Sequence, residues 1–151
     1  MEIWIDGDAC PGDAKQILFR AAERLKIATT LVANQPMSVP RSAYVKTVKV
    51  PPGLDVADQY IVETMASGDL VITSDIPLAE LVVKRGGTVL DSRGQLITEL
   101  NIGERLALRN LLDGLRGTGM ETGGPAPYSR NDKQAFANSL DRILTQLTRT
   151  N

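Results

Sequence analysis

Histidine is absent from all 151 residues of this chain, and that absence removes more chemistry than any other feature of its composition. Without imidazole there is no Ser-His or Cys-His nucleophile pair and no nitrogen ligand for a metal. Carboxylates, hydroxyls, lysines, arginines and one thiol are left to carry any reaction. Oxygen ligands of that kind suit hard cations such as magnesium or manganese. The lone Cys10 excludes an intramolecular disulfide and a thiolate zinc cage, and it suits a reducing compartment. No run approaches the roughly 20 apolar residues of a membrane span, and the first residues lack the basic start and apolar stretch of a secretory signal. A cytoplasmic protein without a membrane partner is therefore expected. Charge of one sign is also missing, since 17 basic residues face 18 acidic ones for a net charge of −1. No global basic field advertises nucleic acid, although a local patch remains open.

What is present is a full core. At 42% hydrophobic content the chain is the size of one domain, expected to span residues 1–151. Residues 2–6, EIWID, read as a buried strand that Gly7, Pro11 and Gly12 break off. Ala14, Ile17, Leu18, Ala21, Ala22 and Leu25 then recur at helical spacing. ATTLVA and YVKTVKV read as strands, residues 55–66 as a helix stopped near Gly68, and DLVIT as a strand covered on both faces. IPLAELVVKR reads as a helix, GGTVLD as its glycine-rich exit into a fifth strand, and SRGQLIT as a short hairpin-like excursion. Asn101 stands at the natural N-cap of a helix over residues 101–117, and a last helix is expected from about Asp132 to Leu147. Between them lies the Gly/Pro-rich segment 117–132. Strands alternating with helices of this length predict an α/β fold with a mostly parallel central sheet and C-terminal helices.

In such a sheet ligands gather beyond the carboxyl ends of the strands. Asp6 and Asp8 follow the first strand, Asp75 follows LVIT, and Asp55 and Asp58 open a helix on one face. Clustered carboxylates resist ionisation unless a divalent cation relieves them. Each also has a plainer reading, with Asp8, Asp13 and Asp75 as helix caps and Asp55 as a dipole partner. Cys10 beside Pro11 at a helix start is either an activated thiol or a small packing residue, and the lack of a histidine base favours packing.

The blocks IWIDGDACPGDAKQILFRAAER, LVANQ, DVADQYIVE, GDLVITSDIPLAELVVKRGG and RLALRNLLDGLRGTGMETGGPAPYSRNDKQAFANSLDRIL resemble, in that order, the YaiI/YqxD family of uncharacterised bacterial proteins. The resemblance runs from residue 2 to about 145 and implies a single-domain, three-layer PIN-like fold. In PIN domains clustered acids hold magnesium or manganese for RNA hydrolysis. By that likeness Asp6 and Asp75 match the acids after the first and fourth strands. Asp58, and less closely Asp55, stands where a helical glutamate is usual. With Asp8 added from the same strand end, the expected catalytic and metal-binding set is Asp6, Asp8, Asp58 and Asp75, with Thr73 and Ser74 of the TSD block on the substrate side. Gly7 takes the place of an alanine in the motif, a small-for-small exchange from which little consequence is expected. Alternatives to a nuclease are a nucleotide- or RNA-binding module without turnover and a protein-interaction scaffold.

A second feature lies on the helix after Asn101. At about 100° per residue, Arg105, Arg109 and Arg116 fall within about 40° of one another, between Leu108 and Leu112 on one side and Ile102 and Leu106 on the other. Guanidinium groups seldom lie on an apolar face unpartnered. Either they pair with acids such as Asp91 and Asp113 and pin the helix, or Arg105 and Arg109 clamp a phosphodiester. The glycines of ETGGP would let backbone amides approach an anion, or simply make a turn.

Overall fold

The computed structural model describes residues 1–117, 119 and 127–149, which leaves ETGGP and the side chain of Arg116 outside the described residues. A six-stranded sheet in the order β3-β2-β1-β4-β5-β6 forms its centre, from β1 (Ile3–Asp6), β2 (Thr29–Ala33), β3 (Val45–Lys49), β4 (Leu70–Ile72), β5 (Thr88–Leu90) and β6 (Leu96–Ile97). All neighbours are parallel except β5 and β6. The helices are α1 (Gly12–Leu25), α2 (Val56–Thr64), α3 (Ile76–Lys84), α4 (Ile102–Gly117) and α5 (Arg130–Arg149).

Strand periodicity sorts the core into two layers. Ile3, Ile5, Leu31, Leu70, Ile72 and Leu90 join Leu18, Phe19, Phe136 and Leu140 on the α1 and α5 face. Trp4, Val32, Val71 and Val89 join Ile61, Leu78, Val82 and Val83 on the α2 and α3 face. Side chains two residues apart share a face of a strand, so short apolar runs with no polar alternation must be covered on both sides. The mostly parallel α/β architecture expected from the sequence is the one observed.

Several expectations change at the element ends. The last helix starts at Arg130 rather than near Asp132, because Ser129 caps it. The Ser129 hydroxyl accepts from Asp132 N at 3.1 Å, and Asp132 Oδ2 accepts from Ser129 N at 2.9 Å. This is a reciprocal capping box with aspartate in the third position. Asn101 precedes α4 but does not cap it. Its side-chain oxygen accepts from Thr98 N and its amide donates to Leu96 O, so it braces the turn after β6. α1 has no side-chain cap at all, so neither Asp8 nor Asp13 serves it.

Gly7 also proves less neutral than a small-for-small exchange. A Cβ there would lie 2.6 Å from Leu31 Cδ2 and 3.0 Å from the Val32 carbonyl oxygen. The bare backbone instead runs close to β2, with Gly7 N donating to Val32 O at 2.8 Å. Gly94, at φ +89°, makes a similar approach to α5, where a Cβ would meet Ala135 O at 2.6 Å. The β5–β6 turn is thereby locked onto the last helix, with Ser139 Oγ donating to Gly94 O, Tyr128 Oη to Ser92 O, and Arg93 pairing with Asp132 at 2.8 Å. No helix among the described residues is long and apolar enough to cross a membrane.

Candidate acidic site at the sheet edge

From β1 the chain turns through α1 to β2 on one side, while β4 pairs with β1 on the other. The crevice at such a reversal, beyond the strand carboxyl ends, is where an open α/β sheet offers a site. A cavity of about 230 Å³ lies there, lined by Asp6, Asp8, Asp55, Asp58 and Asp75 together with Asn34 and the 51–54 loop. Three segments distant in sequence deliver these five carboxylates, and no lysine or arginine is among the lining residues.

Each acid is held differently. Asp6 ends β1 half-buried, and its Oδ2 accepts from Thr73 Oγ1 at 3.1 Å. Thr73 is itself buried, and its oxygen accepts from Asp75 N at 3.0 Å. One hydroxyl thus ties the ends of β1 and β4 together, which makes Thr73 a positioning residue. Asp75 caps α3, with Oδ1 accepting from Leu78 N at 3.0 Å, so its plainer reading as a cap holds. Asp8 accepts from Asn34 N at 2.9 Å. Asp55 sits before α2 in the left-handed region at φ 62°, a conformation that costs a non-glycine residue free energy and collects at functional sites. Ser74 is exposed and is not among the residues lining the cavity.

Burial holds the Asp6 carboxyl above its ordinary range against the Thr73 hydrogen bond, with Asp75 and Asp8 adding repulsion. Burial likewise pushes Asp58 up to about 7, followed by the charges of Asp75, Asp6 and Asp55. Perturbation of this kind marks carboxylates that face one another rather than a cationic partner. Between 3.8 and about 7 the folded chain keeps a proton on Asp58 that the unfolded chain releases. Stability from this group is therefore lost as pH rises through that window and then levels off. Asp58→Asn should melt higher than the wild type in cation-free buffer, by a margin that widens from pH 5 to pH 8. Melting curves with a margin independent of pH would contradict the assignment.

The chemistry of the donors suits a hard divalent ion. Among the described residues no three carboxylates or thiols form a ready-made cage. Cys10 takes no part, since burial pushes its thiol up to about 12, and it packs against the α1 face of the core.

The arginine stripe lies beside this cleft rather than in it. Arg105 reaches back to the sheet edge, donating to Gln95 Oε1 at 2.6 Å and lying 3.8 Å from Asp91. Arg109 pairs with Asp113 one turn on, at 3.5 Å. Those are the acids expected of a structural role, yet the face they share is not buried. On that face Ile102, Leu106 and Leu112 are only half-buried and Leu108 is 57% exposed. The helical period reports one apolar side correctly, but α4 packs along α3 outside the sheet, and among the described residues no further layer covers it.

Asp69, which the sequence pattern does not single out, is a buried carboxylate on the opposite edge. It accepts from Glu2 N, Trp4 Nε1 and Ala66 N at 2.9 to 3.0 Å. No periodicity could have revealed it, because Trp4 is 65 residues away in the chain.

Comparison with known proteins gives a consistent result. The family model described as "Uncharacterized BCR, YaiI/YqxD family" matches residues 4–146. A UPF0178 protein of Dechloromonas aromatica is 53% identical over 147 residues, covering 97% of this chain and 98% of that one. A UPF0178 protein of Myxococcus xanthus is 52% identical over 150 residues, covering 99% and 98%. One from Alkalilimnicola ehrlichii is 55% identical over 145 residues, covering 96% and 98%. No solved structure matches.

Proposed function

We propose, for a chain that belongs to the YaiI/YqxD family of uncharacterised bacterial proteins, a PIN-like phosphodiester hydrolase that uses magnesium or manganese and acts on RNA. The observation that carries this reading is the convergence of Asp6, Asp8, Asp58 and Asp75 on one cavity at the reversal of strand order, with no cationic side chain among its lining. A cleft of that composition calls for a cationic ligand. When bound, a divalent ion supplies an activated water and neutralises charge on the scissile phosphate, chemistry that needs no histidine.

The chain's own residues divide the remaining work. Asp6 and Asp58, the two carboxylates held above their ordinary range, are the principal ligands, because a cation relieves the cost of ionising them. Asp75 gives one oxygen to Leu78 N and Asp8 one to Asn34 N, leaving each a second oxygen for the ion or its waters. Thr73 fixes Asp6 and the backbone of Asp75 in register.

The same backbone hydrogen bonds to Asp8 and Asp75 favour a second reading, a nucleotide- or RNA-binding module without turnover. Incubation of the protein with a short labelled RNA and magnesium or manganese separates the two. Cleavage by the wild type that falls 100-fold or more in both Asp6→Asn and Asp58→Asn, on the order of the effect of removing a principal catalytic group, supports the hydrolase. Binding without cation-dependent cleavage supports the module.

A further inference from the structure

A second depression of about 260 Å³ adjoins the acidic cleft, lined by Ile76, Leu108 and Leu112 together with Arg105 and Arg109. The two share the start of α3, since Asp75 lines the first and Ile76, the next residue, lines the second. The depression lies next to the proposed phosphodiester site, within reach of a nucleotide adjoining the one held at the acids. We propose that it receives an unpaired base of a single-stranded nucleic acid whose backbone reaches the acidic cleft, a reading that rests on the hydrolase assignment and specifies its substrate class.

Three features of the lining select this occupant. The floor is aliphatic, and Leu108 is left 57% exposed at a cost that a flat apolar ring covering it would remove. Arg105 is anchored by Gln95 and Asp91, which sets its planar guanidinium in place, and such a plane stacks on bases. Arg109 forms a half-exposed pair with Asp113 at 3.5 Å, an i,i+4 interaction weak enough for the guanidinium to exchange it for a phosphate oxygen. Charge and shape are thus complementary to a nucleotide unit: an apolar face for the ring, an arginine for the adjoining phosphate, and acids beyond for the cation. A base held in a duplex presents no free face and cannot enter. With Arg105 engaged by Gln95 and Asp91 and Arg109 given to the phosphate, the donors of the lining leave the edge of the base little read. Recognition is of strandedness more than of sequence.

The test compares affinities for labelled ten-nucleotide single strands of RNA and DNA, the same RNA as a blunt duplex, and a single strand with abasic positions, measured in calcium. Leu108→Asn makes the floor polar without adding charge, and Leu111→Asn makes an equal change at an equally exposed leucine outside the lining. The expected result is about tenfold weaker binding of the intact RNA by Leu108→Asn, the scale of one stacked base, with Leu111→Asn unchanged. The duplex and abasic strands should bind the wild type at least as weakly as the intact strand binds Leu108→Asn. Equal losses in the two asparagine variants, or undiminished affinity for the abasic strand, would overturn the proposal. Loss in Leu108→Asn alone, in a protein whose melting temperature does not respond to manganese, would keep the base site and remove the metal-dependent reading. A manganese response with no preference for bases would do the reverse. Tighter binding of DNA than RNA keeps the base site and moves the substrate from one polymer to the other.

Discussion

Replacement of Asp69 by alanine is expected to remove about 3 kcal/mol of stability, the largest loss expected from a single side chain outside the apolar core. Its Oδ1 accepts from Glu2 N, and its Oδ2 from Trp4 Nε1 and Ala66 N. Hydrogen bonds to a charged acceptor contribute about 1.5–3 kcal/mol each, and a buried donor stripped of its partner costs about 1–3. Water can reach the two backbone amides in the variant, but the buried indole N–H is left without an acceptor, so the three losses do not sum in full. Asp69→Asn should be milder, because one oxygen survives to accept from two of the donors. Against a total of about 5–15 kcal/mol, the alanine variant gives up a large share. Its urea midpoint should fall without change in the m-value, and its melting temperature by roughly 6–12 °C for a chain of this length. A shift under about 2 °C would show that the carboxylate is dispensable.

Manganese at 100 times its Kd is expected to stabilise the wild type by about 2.7 kcal/mol, because an ion held by the folded chain and not by the unfolded one acts by mass action. The informative result is the behaviour of Asp6→Asn and Asp58→Asn in opposite directions. Ionised in the folded protein, both carboxylates face burial and like charge, so their amides should melt higher than the wild type at pH 8 without metal. With manganese the order should reverse, since each variant loses a ligand. A protein that keeps mutually repelling acids at the expense of stability is showing the usual trade between stability and function. Equal manganese shifts in all three proteins would place the ion elsewhere, and amide variants that melt lower in the absence of metal would show that the acids are not in repulsive contact.

The two predictions differ in how visible their residues are from the chain alone. Asp6 and Asp75 announce themselves because one ends an apolar strand and the other stands just beyond one, and strand ends in a parallel sheet have one place to go. Asp69 precedes its strand in the same way that many turn residues do, and only the approach of Trp4 distinguishes it. The arginines of α4 fall between these cases. Their common stripe and their acidic partners were legible, while the exposure of the leucines around them was not, because a helical period records that one side is apolar and says nothing about what covers it.

The sequence by itself determined the architecture of this protein. Runs such as IWID and LVI, too short for helices and too apolar for a surface, require a sheet buried on both faces, and the helical stripes between them require parallel crossovers. It also determined the available chemistry, through the absence of histidine and the placing of acids at strand ends. The tertiary structure alone decided which acids meet. β1 and β4 lie side by side with more than 60 residues of chain between them, and Thr73 spends its hydroxyl joining Asp6 to Asp75. It decided that Gly7 has no room for a methyl group and that α4 leaves an apolar groove open beside the acidic cleft. The division has a physical cause: burial patterns are set by neighbours along one element and repeat with its period, whereas close approach and electrostatic coupling depend on the packing of segments far apart in the chain.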